Sequence, residues 1–510
     1  MLGNWIGLAA SVVAGFFLGP FVVRHLGNTA YGVWTLVVSI ASYMGLLDLG
    51  LRGAVVRFTS TEHARGDHAA ASRSVSTALA IRAGIGVLIV ALSGAVAAIA
   101  PALLNIPPDL AYAARVAILV VGLNVAVRLT FGVFAGVLTA LHRFDLTGII
   151  GVAQTIVRAV GVVVLLDKGY GIVALAVWEL FAVCLGSAAT YAATVRVYPL
   201  LRVGVSKFDR SLVRDYSTYS FWVFVTNLGQ QVIYYSDNLI IGAFLNPAAV
   251  TFYAVGGTLL LYLRSLVRCL TSTFTPLASE LSATGQDHRM GDLLIQGTRM
   301  TFLLALPIEL ALLFRGKTFI GLWMGPEYAQ VSGTVLQLLL VAEILRTGTH
   351  TGTSMMYGVS KHQKGATWTA MEAVANLGLS VILVKRMGLF GVAWGTLIPS
   401  LAISVWFSPP YHAEIAGIPL RRLLWQGWIR PIAAAIPFAA ACAAADRWWP
   451  AASLVGFGLQ MIALLPVFAA GVAVVFWKEL VWRFPAPGSW PFGLRTRPRP
   501  RSAGQAGVSR

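Results

Sequence analysis

Charged and polar side chains recur at helical spacing inside long apolar segments of this chain. Gln230, Tyr234 and Asp237 are separated by four and three residues, so they share one face of a helix. Arg264 and Arg268 lie one turn apart in the next segment. An ionised group at the centre of a membrane helix costs about 2.5–3.5 kcal/mol on insertion scales. These residues are therefore candidates for contact with a polar ligand or an ion.

Similar polar stripes occur in both halves of the chain. Asp48 precedes Arg52 by one turn, and Glu343 precedes Arg346 by three residues. At least about five such stripes indicate a hydrated cavity, because hydrogen bonds between membrane helices average only about 0.6 kcal/mol and offset buried charges poorly. For any single stripe the alternative stays open that its members only hold helices together, for example by pairing at i,i+3.

The candidate residues fall into two groups by the chemistry of their side chains. The candidates for binding a substrate in the cavity are Arg52, Arg128, Arg158, Arg264, Arg268, Arg346, Asn227, Gln230 and Tyr234. The candidates for contacts with hydroxyl groups of a substrate, or for coupling to a proton or another ion, are Asp48, Asp237, Glu343 and Glu372. Arginines outnumber acids among these residues, and a guanidinium binds phosphate in a bidentate way. We therefore expect an anionic substrate.

Membrane-spanning helices must position these side chains. Of the 510 residues, 57% are hydrophobic and 11% are charged, and the mean hydropathy is +0.76. Soluble domains carry about 25% charged residues. Residues 85–104 and 452–477 contain no charge, and about 20 apolar residues cross a bilayer core as a helix. The sequence predicts an all-α polytopic membrane protein with about fourteen spans.

The distribution of charge predicts the orientation in the membrane. The net charge is +18, which membrane proteins place mainly in their cytoplasmic loops. With the N-terminus in the cytoplasm, about 20 cations lie inside and about 8 outside. Both termini are thus expected in the cytoplasm, and no nucleic-acid partner is expected. The segment after residue 479 is rich in Pro, Gly and Arg, and is expected to be disordered beside anionic lipid headgroups.

The chain lacks the motifs that nucleotide-driven or metal-dependent proteins use. Gly316, Lys317 and Thr318 resemble the end of a phosphate-binding loop, but Ala311 stands where that loop needs its first glycine. The three cysteines are far apart, with no CxxC. We expect no metal site, no cofactor and no enzymatic activity, with transport driven by an ion gradient, the membrane potential or the substrate's own gradient.

Two segments resemble a known family of transporters. Arg24–Arg57 reads RHLGNTAYGVWTLVVSIASYMGLLDLGLRGAVVR. Its LG-x-x-x-YG-x-W turn and its Leu-Asp-Leu-Gly-Leu helix end resemble the polysaccharide-exporter branch of the multidrug/oligosaccharidyl-lipid/polysaccharide (MOP) superfamily. Tyr234–Leu245, reading YYSDNLIIGAFL, is similar to the start of that family's second lobe. Phe21–Trp34 also matches Ile240–Ala254, as expected for repeated helical bundles.

The resemblance implies a fold and a function. It implies two six-helix lobes in a V shape, residues 1–200 and 201–410, then two extra helices within 411–478 and a basic cytoplasmic tail, 479–510. It implies a flippase that moves undecaprenyl-pyrophosphate-linked oligosaccharide, an O-antigen or exopolysaccharide repeat unit, across the bacterial inner membrane by alternating access. Membrane lipids, and a polymerase and glycosyltransferases of the same pathway, are the implied partners.

Two alternatives to the flippase remain. One is a drug/cation antiporter of the MATE type, from the same superfamily. The other is a membrane polymerase or ligase of the same pathway, which the short predicted outside loops disfavour because they leave no room for a catalytic domain.

Overall fold

α-Helices, most of them long, dominate the described structure. The computed structural model describes residues 2–48, 51–204, 207–209 and 221–482, and this part contains no strand. The first half of the chain forms α1 (Leu2–Met44), α2 (Leu51–Ala64), α3 (His68–Leu103), α4 (Pro108–Ala140), α5 (Phe144–Asp167) and α6 (Ile172–Val197).

The second half of the chain forms further helices and ends in a final pair. It forms α7 (Phe221–Phe244), α8 (Pro247–Thr271), α9 (Phe274–Ala283), α10 (Met290–Trp323), α11 (Pro326–Thr347), α12 (His350–Gly358), α13 (Gln363–Met387), α14 (Leu389–Ala402) and α15 (Ser408–Ile415). The short α16 (Leu420–Leu423) leads into the final pair, α17 (Arg430–Trp448) and α18 (Leu454–Trp482).

Twelve helical stretches in the described part of the chain are long and apolar enough to cross a membrane. The first of them runs over Ala9–Ala64 and includes Gly27, whose backbone leaves helical geometry at φ 75° and ψ 166°. Gly27 thus divides α1 into two helices, and α7 adds a further helix of 24 residues. The all-α polytopic fold is confirmed, and the expected fourteen spans are an approximate count.

Helix boundaries differ from the sequence prediction in ways that local chemistry explains. The sequence predicts a continuous span over 31–56, but a 3₁₀ turn at Gly45–Asp48 ends α1 before α2 begins. It also predicts that Pro399, Pro409 and Pro431 interrupt helices, but Pro399 lies within α14. Pro409 and Pro431 follow π-helical turns at Ile403–Phe407 and Leu424–Ile429. A wider turn accommodates the proline ring, which clashes with the carbonyl four residues earlier in an α-helix.

Two predictions fall on residues outside the described ranges. The hydropathy pattern predicts a seventh span over 214–244, and the described helix there is Phe221–Phe244, so the predicted start lies outside the described residues. The basic tail after residue 482 also lies outside the described ranges.

The two halves share one hydrophobic core at one end of the bundle. We call this the closed end; it carries the turns at Gly27, Asn105, Asn246 and Gly325, which alternate along the chain with turns at the opposite, open end. The shared core joins buried residues of α1, α4, α7, α8 and α11, which include Leu36, Ile118, Ile241, Leu260 and Leu336.

At the open end each half has a core of its own. Val75 and Val137 belong to a cluster of the first half, built on α2, α3 and α4. Phe302 and Met355 belong to a cluster of the second half, built on α10 and α12 with the segments that follow α15. The principal helix contacts between the halves run from α1 to α7 and α8. The two bundles are thus packed together at the closed end and separate at the open end.

Arg315 fastens the final helix pair to the second half. Its guanidinium is fully buried, and its Nη2 donates to Gln460 Oε1 at 2.7 Å. Its Nε lies 3.6 Å from Asp446 Oδ1, and the ring centroid of Phe457 is 4.8 Å from its Cζ. Asp446 also accepts a hydrogen bond of 2.6 Å from Thr318. A buried charge needs such partners, so this network joins α10, α17 and α18.

Removing one partner of Arg315 should destabilise the protein. We expect Gln460→Leu to lower the free energy of unfolding by about 1–3 kcal/mol, because a buried guanidinium loses a hydrogen-bond acceptor. Thermal unfolding of the purified protein measures this effect. Arg143→Ala, which removes the exposed pair with Asp145, should leave the midpoint unchanged. Equal midpoints for Gln460→Leu and the wild type would contradict a stabilising role for the network.

Candidate functional site

A polar cavity lies between the two halves, where α1 crosses α7 and α8. Its volume is ≈ 200 Å³. Tyr31, Trp34 and Ser39 line it from the first half, and Asp237 and Arg264 line it from the second. Pockets for drug-sized ligands measure about 300–1,000 Å³, so in this conformation the cavity suits a small polar group.

Arg264 is the cation of this cavity. Only 7% of it is exposed, and its Nε donates to Glu343 Oε2 at 2.7 Å. Its Cζ lies 4.3 Å from the ring centroid of Tyr234. A guanidinium has five N–H donors, and this is the one hydrogen bond of Arg264 among the described residues. Its Nη groups are therefore available to an anion.

Glu343 is the centre of a buried ion network behind Arg264. Arg346 Nη2 donates to Glu372 Oε1 at 2.5 Å and to the Ser400 hydroxyl, while its Nε lies 3.9 Å from Glu343 Oε2. His350 Nε2 lies 3.8 Å from Glu343 Oε1. The network connects α8, α11, α12, α13 and α14. Arg346 is thus held by two carboxylates and does not line the cavity.

Asp237 lines the cavity and is 4% exposed. Its Oδ2 accepts hydrogen bonds from the Tyr253 hydroxyl and, at 2.8 Å, from the Thr396 hydroxyl. Asn376 in turn donates to Thr396 at 2.8 Å. Asp237 Oδ1 has no hydrogen-bond partner among the described residues. This oxygen can accept a hydrogen bond from a ligand or carry a proton.

The sequence predicts more arginines than acids among the site residues, whereas the buried part of the second half has more carboxyls than the arginines that pair with them. In the second half, the buried carboxyls are Asp237, Glu309, Glu343 and Glu372, whereas Arg264 and Arg346 are the cations that pair with this group. The excess of cations is found instead among arginines that are exposed.

Three further predicted residues lie toward the open end of the cavity helices. Arg268 is exposed one turn beyond Arg264 on α8. Gln230 is half-buried and Asn227 is exposed, one and two turns before Tyr234 on α7. None of the three is among the residues that line the cavity. Their positions fit the wall of the cleft between the separated bundles.

The predicted residues of the first half that the structure describes do not line this cavity. Arg158 Nε lies 3.7 Å from Glu179 Oε1, and the positive charge of the exposed Arg128 also attracts this carboxylate. Asp48 pairs at 2.5 Å with Arg82, which also donates to the Leu129 carbonyl. The side chain of Arg52 lies outside what the structure describes.

Several residues of the site were missed at the level of sequence. Ser39, Tyr253 and Thr396 carry hydroxyls that are common in apolar helices, so no sequence signal singles them out. Two buried or half-buried carboxyls away from the cavity lining, Glu179 and Glu309, carried a usable signal, since each is a single carboxyl within a predicted span.

The closed end is held by polar contacts between the halves. The Asn28 side chain accepts from the Tyr328 hydroxyl, and its carbonyl accepts from Thr251 at 2.6 Å. Asn105 donates to the Ala243 carbonyl at 2.8 Å. The segments Phe21–Trp34 and Ile240–Ala254, matched above as a repeat, therefore pack against each other at this end.

Gly32 sets how closely the halves approach. A Cβ at this position would lie 1.8 Å from the Pro247 carbonyl oxygen. Such contacts do not occur between real atoms, so any other residue at position 32 forces the two backbones apart. Ser39, two helical turns after Gly32 on α1, accepts a 3.0 Å hydrogen bond from Asn238 across the same interface.

The fold defines a class of multi-span helical proteins with a polar cavity between two bundles, and solved transporters of the MOP superfamily share this fold. Residues 3–282 match the family described as polysaccharide biosynthesis protein. This chain belongs to that family, whose members include O-antigen and flippase-like transporters. The polysaccharide-exporter branch expected from Arg24–Arg57 is thereby confirmed.

Relatives and a solved structure agree with this assignment. The chain is 23% identical over 485 residues to the uncharacterized membrane protein EpsK of Bacillus subtilis (strain 168), covering 93% of this chain and 92% of EpsK. It is 21% identical over 388 residues to a Shigella flexneri protein provisionally named an O-antigen transporter, covering 73% and 87%. The lipid II flippase MurJ, in an inward closed conformation, matches 94% of this chain and 99% of its own with a TM-score of 0.72 and 12% identity. At this identity the likeness shows the fold alone.

The contact at Gly32 generates a prediction about the closed end. Gly32→Ala should open the interface between the halves, because its Cβ cannot fit against Pro247. A cysteine placed at Ser39 in an otherwise cysteine-free protein should then react faster with a maleimide. The matched control is Gly7→Ala on the same helix, where a Cβ meets nothing within 4 Å. The same labelling rate in both variants would contradict the tight closure.

Proposed function

We propose that this protein is a flippase for undecaprenyl-pyrophosphate-linked oligosaccharide, such as an O-antigen or exopolysaccharide repeat unit. The observation that carries the proposal is a cavity with an available arginine, Arg264, at the inner limit of a cleft that is closed at one end only. A cleft of this shape supports alternating access, in which the same cavity is reached from one side of the membrane at a time.

The polar part of the cavity suits a pyrophosphate joined to sugars. Arg264 is available to hold a phosphate oxygen, and Arg268 extends the positive charge toward the cleft. Arg52, Arg128 and Arg158 of the first half are proposed as further contacts along the path of the headgroup. Because carboxylates accept hydrogen bonds from hydroxyl groups, we assign sugar contacts to Asp237 and Asp48.

The apolar part of such a substrate has a matching surface. A cavity of ≈ 580 Å³ lies between α1, α8, α10 and the final helix pair. Val12, Leu259, Leu312, Phe457 and Met461 are among its apolar lining residues. Part of a polyprenyl chain would fit there while its headgroup enters the polar cavity, because both cavities adjoin α8.

The proposed orientation places both termini in the cytoplasm of a bacterial cell. The open end then carries Arg57, Arg65 and Arg73, all exposed, as the preference of basic loops for the cytoplasm requires. The conformation described here would receive its substrate from the cytoplasmic side of the inner membrane. We retain residues 1–200 and 201–410 as the proposed lobes, with the extra helices in 411–478 and a cytoplasmic tail in 479–510.

A second candidate is a drug/cation antiporter of the same superfamily. The surplus of buried carboxyls over arginines in the second half favours it, since carboxylates attract cations. A drug-sensitivity profile of a deletion strain separates the two: sensitisation to cationic drugs with normal surface polysaccharide would support the antiporter.

The role of Arg264 provides the test of the flippase. We expect Arg264→Ala to slow flipping about 10- to 100-fold, because a charge-assisted hydrogen bond is worth about 1.5–3 kcal/mol. Arg264→Lys keeps the charge but not the planar fork, so it should restore part of the rate. Flipping of the lipid-linked oligosaccharide is measured in proteoliposomes, and surface polysaccharide is measured in cells.

Two controls separate loss of binding from loss of folding. Arg264→Ala leaves the buried Glu343 without its nearest cation, so the double variant Arg264→Gln/Glu343→Gln removes both charges together. The double variant should fold and still fail to transport. Normal flipping by a folded protein that lacks Arg264 would contradict the proposed function.

A further inference from the structure

Glu309 is a fully buried carboxyl in the middle of α10, and no cation among the described residues forms an ion pair with it. Its Oε1 accepts a 2.6 Å hydrogen bond from the Thr347 hydroxyl. Its Oε2 is buried and, among the described residues, has no hydrogen-bond partner. Its relative exposure is 0%. The site described above does not use this residue.

Thr347, the hydrogen-bond partner of Glu309, brings Glu309 close to the face of α11 that also carries the charged carboxyl of Glu343. Glu343 and Thr347 are one turn apart on α11, so they share the face that meets α10. Glu343 has Arg264 at 2.7 Å and a second arginine, Arg346, at 3.9 Å. Glu343 can therefore stay ionised, whereas Glu309 has no comparable support.

The other charged or titratable groups on helices packed against α10 have their own partners or lie elsewhere. His350 on α12 lies beside Glu343 at 3.8 Å, and Asp446 on α17 lies beside Arg315. Arg430, where α17 begins, donates to the Val475 carbonyl at 2.7 Å.

Three further charged or titratable groups near α10 lie in other contacts or at the surface. Arg299, on α10 itself, packs against the ring of Phe476 at 4.7 Å. His412 on α15 packs against Gly352. Arg268 on α8 is exposed.

Two neighbouring carboxylates cannot both stay ionised at low cost in a buried, apolar setting. A proton on one of them removes the repulsion, and it goes to the carboxyl without a cation. In this conformation that carboxyl is Glu309. When α10 and α11 separate and water enters, the same group can ionise, because the new environment solvates its charge.

We propose that Glu309 is a proton-binding site of the transport cycle, occupied in the present conformation and emptied when the contact between α10 and α11 opens. The O–H bond of the carboxyl breaks on opening, the proton passes to water in the cleft, and Glu309 becomes a carboxylate. The reverse step takes a proton from water. This inference rests on the proposed function as a transporter and names the coupling ion for it.

The first experiment reads the proton directly and needs no transport substrate. Infrared difference spectra are recorded between the wild type and Glu309→Gln, both full-length in nanodiscs at neutral pH. The proposal predicts that the variant loses a protonated-carboxyl C=O band that shifts in D₂O. The matched control, Glu327→Gln, removes an exposed carboxylate on α11 and should lose only carboxylate bands.

Loss of carboxylate bands in Glu309→Gln would overturn the proposal, because Glu309 would then be ionised. Bands of Glu309 that respond to NaCl instead of pH would also overturn it, in favour of a metal cation. Should Glu309→Gln fail to fold, Thr347→Val keeps the carboxyl and removes its hydrogen bond. The Thr347→Val variant should shift the pH at which the protonated-carboxyl band disappears by about one unit. If the band disappears at the same pH as in the wild type, the proposal is overturned.

The second experiment tests coupling in proteoliposomes with undecaprenyl-pyrophosphate-linked oligosaccharide. The wild type should flip this lipid faster with an imposed proton gradient, and Glu309→Gln should flip it at a rate that ignores the gradient. Equal stimulation of both proteins, or no stimulation of an active wild type, would overturn the proposal for Glu309. If the wild type flips none of the lipid, the proposed function fails, and the infrared result still decides the protonation.

Discussion

A charge inside an apolar helical bundle persists only where another helix supplies its partner, and this constraint organises the whole protein. Arg264 meets Glu343 between α8 and α11, and Arg346 meets Glu372 between α11 and α13. Arg315 pairs with Asp446 in the same way, between α10 and the final helix pair. Since the penalty for losing one partner is large, each pair determines which helices stay together.

The distribution of apolar contacts decides which parts of the protein can move. One core joins the two halves at the closed end, and separate cores hold each half together at the open end. Packed cores resist continuous deformation, so the bundles are expected to move largely as units, and the opening between α10 and α11 proposed above is a local change within one of them. The interface at Gly32 and Asn28 is held by close backbone approach and a few hydrogen bonds, and such contacts can break without disrupting either bundle.

The polar cavity and the ion network lie where these two features meet. Arg264 belongs to both, because it lines the cavity and pairs with Glu343. An anion that binds Arg264 competes with Glu343 for the same guanidinium. Binding in the cavity is thereby connected to the charge balance between α10 and α11, where Glu309 lies beside Glu343. This connection offers a physical route between substrate and ion that needs no long-range pathway.

The amino-acid sequence by itself determined the class, the helical content and the polar stripes of this protein. Those properties depend on about 20 residues at a time, because crossing a bilayer is a local requirement on hydropathy. The Arg24–Arg57 resemblance added the superfamily. The sequence also indicated Arg264 and Asp237 as site residues, since a charge in an apolar span is visible without any structure. Their role in transport remains a prediction.

Only the tertiary structure decided which polar helix faces contact each other. It placed Arg264 at the cavity, withdrew Arg346 into an ion pair, and brought Ser39 and Thr396 to the same cavity from positions more than 350 residues apart. It also showed that the two repeated segments touch at Asn28 and Thr251. The physical reason is that the sequence of one helix shows only that a face of it is polar. The partner of that face is chosen by packing between distant segments, which no local pattern contains.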